Sequence, residues 1–235
     1  MARKVSYLAE VTKMIFVVIA CIVALEIAAL IWLGTTVGRY KNYWQERAKQ
    51  SGEITYLALG DSASQGIGAS TPNKGFVGLI AKRLENKYDK QVKVVNLSIT
   101  GAKLDDYLKE QAPKVKYIKA DFVTIEIGSN DIKNYNADEF TKNFRLVLET
   151  LPDGSYVSNM PLFNSRPGST ANAKLASKIV ENELKKYPKL KFVDLEKQTS
   201  DNQSIFGFAP DLFHPNDLSY KNWANAFWNQ IDKER

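Results

Sequence analysis

From residue 53 onward the chain alternates between two kinds of apolar pattern, and this rhythm limits the folds open to it more than any other feature. Short runs that are apolar nearly throughout stand at 54–59, 92–97, 122–127, 156–160 and 192–195. Between them apolar residues recur every three or four positions: Phe76, Ile80 and Leu84; Phe140, Phe144, Leu148 and Leu151; Ala176, Ile179, Val180 and Leu184; Tyr220, Trp223, Phe227 and Ile231. The first pattern is that of strands buried on both faces, the second that of amphipathic helices. Strands alternating with helices imply a parallel sheet covered on both sides, hence an α/β fold. In such open sheets ligands bind beyond the carboxyl ends of the strands, so the loops after each strand are where chemistry is sought.

Ahead of this region, residues 14–34 (MIFVVIACIVALEIAALIWLG) are almost wholly apolar. As a helix rising ~1.5 Å per residue they would cover about 30 Å, the hydrocarbon thickness of a bilayer, and are read as a transmembrane helix. Glu26 is the one charged residue in the run, at a cost of roughly 3 kcal/mol on insertion scales. A cleaved signal peptide would need small residues closing the run, yet it continues through Ala28, Ala29, Leu30, Ile31 and Trp32. Val18-Ile19-Ala20-Cys21 is similar to a bacterial lipoprotein box, although only a few apolar residues precede it. Retention as an anchor is therefore expected over cleavage or lipidation at Cys21. Arg3, Lys4 and Lys13 on one side face Arg39, Lys41, Arg47 and Lys49 on the other, so charge does not orient the span. A large C-terminal domain translocates regardless of such charges, and an extracytoplasmic domain is expected. The expected division is a flank at 1–13, the anchor at 14–34, a polar stalk at 35–52 and one globular domain at 53–235.

Composition excludes several classes. One cysteine rules out an internal disulfide framework, and a single histidine beside it leaves no cluster for a typical His/Cys zinc site. Of the formal charge of +6, much sits in the first 50 residues, which hold seven Lys/Arg against three Asp/Glu. This suits a membrane surface; no basic run interleaved with aromatics suggests nucleic acid.

The first strand runs into Gly60-Asp61-Ser62-Ala63-Ser64-Gln65-Gly66-Ile67-Gly68, which puts a serine directly behind a buried strand. Gly60 would permit a tight turn, and the amide of Ser62 would be free to donate to a developing negative charge. Gly66-Ile67-Gly68 lacks the third glycine of a dinucleotide loop, and no Walker lysine follows. The second strand ends at Ser98-Ile99-Thr100-Gly101-Ala102 and the third at Gly128-Ser129-Asn130-Asp131. A glycine N–H and an asparagine amide converging from neighbouring strand ends would complete an oxyanion site with Ser62. Before the last helix stands Asp211-Leu212-Phe213-His214-Pro215-Asn216-Asp217. A carboxylate three residues ahead of an imidazole can accept from one ring nitrogen and leave the other directed at a serine. Since His214 is the sole histidine, any Ser–His mechanism must use it.

In these four blocks the chain resembles the SGNH or GDSL-like lipase/acylhydrolases. Gly60-Asp61-Ser62 with Gly66-Ile67-Gly68 is similar to the nucleophile block, Gly101 to the family glycine, Gly128-Ser129-Asn130-Asp131 to Gly-x-Asn-Asp, and Asp211-Leu212-Phe213-His214 to Asp-x-x-His. The resemblance spans roughly 54–231. It implies a three-layer α/β/α, flavodoxin-like fold with a five-stranded parallel sheet. It also implies Ser62, Asp211 and His214 as catalytic residues, an oxyanion hole from the Ser62 and Gly101 amides and the Asn130 side chain, and no metal or organic cofactor. Family members often carry glycine at the positions of Leu212 and Ser219, which bears on turn geometry rather than on the catalytic atoms.

The expected function is thus a membrane-anchored serine ester hydrolase, acting as a monomer on a small-molecule, lipid or glycan acyl ester. The acyl donor stays open between lysophospholipid or other lipid esters and acetyl groups on cell-envelope glycans. Phe206, Phe208 and Phe213 suit either an acyl pocket or core packing, with packing the simpler expectation. Two rivals use the same residues differently: an O-acyltransferase, in which a sugar hydroxyl replaces water, and a catalytically silent binding module on a tether.

Overall fold

The computed structural model describes residues 2–162, 167–202 and 204–234. Nine α-helices are found among them: α1 (Ala2–Ala48), α2 (Ser62–Gln65), α3 (Phe76–Tyr88), α4 (Leu104–Glu110), α5 (Ala112–Val115), α6 (Ala137–Glu149), α7 (Pro167–Leu184), α8 (Leu195–Asp201) and α9 (Asp217–Ile231). The strands are β1 (Ile54–Gly60), β2 (Val92–Asn96), β3 (Phe122–Glu126), β4 (Tyr156–Ser158) and β5 (Lys191–Val193). They form one parallel sheet in the order β2-β1-β3-β4-β5. The chain starts near the middle of the sheet, winds to β2, then crosses back over β1 to β3. That reversal makes a crevice at the carboxyl ends of β1, β2 and β3, the place where open α/β sheets hold their ligands.

Strand β1 shows why the sheet needs two covering layers. Tyr56 and Ala58 point into one core with Phe76, Ile80 and Leu84 of α3 and Tyr220, Trp223 and Phe227 of α9. Leu57 and Leu59 point the other way, into a core with Leu104 and Tyr107 of α4, Phe140 and Phe144 of α6, and Val180 of α7. Successive side chains of a strand face opposite sides, so a continuous apolar run can be satisfied only by helices on both. The helical spacing read from the sequence corresponds to these buried faces; Leu151 and Ile179 pack at their margins. Strand ends differ slightly from the sequence reading. The fifth strand stops at Val193 because Asp194 caps α8, its side chain accepting from the N–H of Lys197, so Leu195 opens a helix instead of closing a strand.

The N-terminal segment behaves differently from the division expected. Instead of an anchor followed by a separate stalk, α1 runs without interruption over 47 residues, about 70 Å at the rise of an α-helix. The side chains of Arg3 and Lys4 lie outside the described residues. One stretch of α1 is long and apolar enough to cross a membrane, and none of its most apolar window is buried against the rest of the chain. Beyond it, Leu33, Thr36, Tyr40 and Trp44 are buried. The segment read as a polar stalk is therefore a helix packed on the globular part. Its average composition is polar, but every third or fourth residue is not, and that face has found a partner.

Candidate active site

Each loop that leaves a carboxyl end in the crevice contributes to one constellation. Strand β1 enters a turn at Gly60 with φ of 137°, and a Cβ there would lie 2.0 Å from the carbonyl oxygen of Glu126, so glycine is the only residue that fits. The carboxamide of Gln111 brackets the same glycine, accepting from its N–H at 3.0 Å and donating to its carbonyl at 2.7 Å. Asp61 then caps α2 by accepting from the N–H of Ala63 at 2.9 Å. Ser62 follows as the first helical residue and is 4 % exposed. Helix α2 lasts one turn and ends on Gly66 in the left-handed region.

His214 arrives from the other end of the chain. Its loop is pinned by the N–H of Ala209 donating to the His214 carbonyl at 2.8 Å, by an antiparallel bridge between Phe208 and Pro215, and by Asn216, whose side chain caps α9 and donates to the Phe206 carbonyl at 2.6 Å. The Nε2 atom of His214 stands 3.0 Å from Ser62 Oγ, and Nδ1 stands 2.5 Å from Asp211 Oδ2. The other carboxylate oxygen of Asp211 accepts from the N–H groups of Phe213 and His214 at 3.1 and 3.0 Å. Burial alone would raise the Asp211 pKa, but the hydrogen bond and charge of His214 and these two amides outweigh it and hold it at about 2. Leu212, inside this turn, has φ of 53°, the left-handed region in which glycine is at ease.

The two remaining residues close in from β2 and β3. Gly101 has φ of 80° in the turn after β2. That turn is tied to α2 through Gln65, whose side chain donates to the Ser98 carbonyl at 2.9 Å and accepts from the Thr100 hydroxyl at 2.5 Å. Among the described residues no acceptor faces the N–H of Ser62 or that of Gly101. Asn130 donates through Nδ2 to Asp61 Oδ2 at 2.9 Å and to the Ala102 carbonyl at 3.0 Å. Its amide hydrogens are thus engaged with the neighbours of Ser62 and Gly101. Asp131 accepts from the N–H of Leu104 at 3.2 Å, opening α4, and burial raises its pKa to about 6.

A cavity of about 640 Å³ opens on Ser62 and His214. Its apolar wall is made by Pro161, Leu162, Phe208, Leu212, Phe213 and Trp223. Of the three phenylalanines singled out in the sequence, Phe208 and Phe213 line it, whereas Phe206 is 78 % exposed and faces outward.

Sequence reasoning missed the support beneath the site. Asp61 and Glu126 are both buried, and Ser129 donates its hydroxyl to Glu126 at 2.7 Å. Burial raises the pKa of each carboxyl, and for Asp61 the nearby charge of Glu126 raises it further. Nothing local marks Glu126 or Gln111, since each acts through a contact made only when the sheet assembles.

With this geometry in view, comparison with known proteins is informative. Residues 58–221 match the profile of the GDSL-like Lipase/Acylhydrolase family. The chain is 30% identical over 254 residues to the uncharacterized protein YpmR of Bacillus subtilis (strain 168), covering 94% of this chain and 96% of that one. Among solved structures it is similar to an acetylxylan esterase from Geobacillus stearothermophilus, with a TM-score of 0.62 at 23% identity over 76% of this chain and 94% of that one. It is also similar to an alpha/beta hydrolase from the metagenome of Lake Arreo, Spain, with a TM-score of 0.64 at 18% identity over 78% and 97% of the two chains. These two likenesses concern the fold.

Proposed function

The chain belongs to the GDSL-like lipase/acylhydrolase family and is a carboxylic ester hydrolase, and on that footing we propose that it is a membrane-tethered serine esterase working through Ser62, His214 and Asp211. The observation that carries this reading is the 3.0 Å separation of Ser62 Oγ from Nε2 of the only histidine in the chain. In the proposed reaction Nε2 takes the hydroxyl proton as Ser62 Oγ attacks the ester carbonyl. Asp211, charged and bound to Nδ1, keeps that tautomer and stabilises the imidazolium as it forms. The tetrahedral oxyanion is received by the N–H groups of Ser62 and Gly101, which lack protein acceptors among the described residues. Asn130 joins them by exchanging its bond to the Ala102 carbonyl for one to the oxyanion. His214 then protonates the leaving alcohol, and water repeats the cycle on the acyl-enzyme.

The apolar wall and the size of the cavity support an acyl chain longer than acetyl, and an exposed apolar helix supports a lipid ester drawn from the membrane over a glycan acetate. All five of these residues come from one chain, which is consistent with action as a monomer. The catalytic domain is assigned to the extracytoplasmic side. The test uses the full chain in detergent micelles with p-nitrophenyl acetate, butyrate and octanoate. Hydrolysis that rises with chain length and vanishes in Ser62→Ala supports the reading. Unchanged hydrolysis in Ser62→Ala removes the nucleophile assignment. Acetyl as the best substrate removes the long-chain assignment, and transfer of the acyl group to an added sugar in preference to water would make the enzyme a transferase.

A further inference from the structure

The end of the apolar span and the part of α1 that follows it carry Leu33, Val37, Tyr40 and Trp44, spaced by four, three and four residues, so that they share one face of the helix. That face meets the loops of the active site rather than a remote part of the domain. Leu33 and Tyr40 form a cluster with Ile67 and Ala209, with Val37 packed against it. Trp44 enters the larger core that also holds Ala63, the neighbour of Ser62.

The polar atoms of the two rings are aimed with purpose. The Tyr40 hydroxyl donates to the carbonyl of Ala69 at 2.7 Å, and the Trp44 indole N–H donates to the carbonyl of Gln65 at 2.9 Å. Gln65 is the last residue of the nucleophile helix, and its side chain holds the turn that presents Gly101. The segment behind it is gripped from the other side by the Tyr220 hydroxyl, which donates to the Ile67 carbonyl at 2.6 Å. Gly68, between these two anchor points, lies so close to the histidine loop that a Cβ on it would stand 2.3 Å from the Pro215 carbonyl oxygen and 2.8 Å from the Cβ of His214. A helix that presses on residues 65–69 and on Ala209 therefore presses on both the serine and the histidine.

We infer that residues 33–44 of α1 are a positioning element of the active site, with Tyr40 and Trp44 holding the turn that carries Ser62 in register with the loop that carries His214. This rests on the roles given above to Ser62 and His214. Neither ring touches the cavity, so their effect is on the alignment of the two reacting side chains, where displacement of the order of 1 Å costs as much as 10²-fold in rate. Because the same helix continues into the apolar span without a break, the anchor and the active site are joined rigidly, and a bilayer around residues 14–34 would hold the cavity at one height above it.

The experiment compares Tyr40→Phe, Trp44→Phe and the double variant in full-length protein in detergent, with Arg47→Ala as a control. Arg47 lies on the same helix and pairs with Glu85 of α3 at 2.9 Å, docking α1 without contacting either loop. The double variant is expected to lose about 10- to 100-fold in kcat with KM changed less than about twofold, at a temperature where circular dichroism shows it folded. Arg47→Ala is expected to keep the parent kcat. An unchanged kcat in the double variant, a rise in KM alone, a loss that tracks the unfolded fraction, or an equal loss in Arg47→Ala would each overturn the inference. Ser62→Ala in the same series separates the two levels. Activity retained there removes the nucleophile assignment and this inference with it, whereas activity lost there and kept in the double variant removes the inference alone.

Discussion

Gly60 and Glu126 stand backbone to backbone at the carboxyl ends of adjacent strands, with room for a hydrogen on the glycine and for nothing larger. The contact brings the β1 turn down onto β3 and sets the height at which Ser62 leaves the sheet. Gly60→Ala would force the two strand ends apart in a backbone conformation unfavourable to any side chain. The expected result is a fall in melting temperature of roughly 5–10 °C, together with loss of ester hydrolysis. Calorimetry and a p-nitrophenyl ester assay on the same preparation check both.

In the proposed mechanism Asp211, hydrogen-bonded to His214 Nδ1, is an orienting group whose loss leaves the other parts in place. Asp211→Asn is expected to lower kcat by about 10⁴-fold and Ser62→Ala by about 10⁶-fold, by analogy with other serine hydrolases. Fluorophosphonate labelling offers an independent measure: slow but detectable for Asp211→Asn and absent for Ser62→Ala. Labelling of Ser62→Ala at the parent rate would mean that another residue is the nucleophile.

Asn130 is held between Asp61 and Ala102, one bond fixing its place beside the site and the other being the one exchanged in the proposed reaction. Asn130→Ala removes the proposed donor to the oxyanion and should cost about 3 kcal/mol of transition-state stabilisation, read as a fall in kcat with little change in KM. A purely structural asparagine would show instead as a lowered melting temperature with kcat preserved.

Asp131 supplies a pH signature. Burial raises its folded-state pKa to about 6, above the ordinary carboxylate value. Across the window from the unfolded value up to about 6 the folded protein binds more protons than the unfolded one, so this residue makes stability fall as pH rises. Asp131→Asn keeps an oxygen to accept from Leu104 and removes the titration. The variant should show a flatter dependence of melting temperature on pH between about 4 and 7, with its gain over the parent largest at the upper end. A parallel displacement of the two curves would assign the slope to other groups.

Much of the fold and most of the candidate site are legible in the order of the amino acids, for a definite reason. Strand and helix periodicity are local properties: Tyr56, Leu57, Ala58 and Leu59 are apolar because a strand covered on both faces needs them to be, and Phe76, Ile80 and Leu84 repeat because a helix turns every 3.6 residues. Turn chemistry is local too, so Gly60, Gly101, Asp211 and His214 stand out within their own loops. A single histidine leaves one imidazole for the proposed base.

What only the tertiary structure decided are relationships between segments that are distant in sequence and unmarked in composition. Residues 35–48 average to a polar segment, and an average cannot show that Tyr40 and Trp44 lie on one face or that the carbonyls of Ala69 and Gln65 await them. Glu126 acquires its role from the pairing of β3 with β1, and Gln111 from the docking of the α4–α5 junction on Gly60; the outward direction of Phe206 beside the inward direction of Phe208 and Phe213 follows from how one loop is pinned by Asn216. Periodicity tells which face of an element must be buried; the docking of the whole chain alone determines against what.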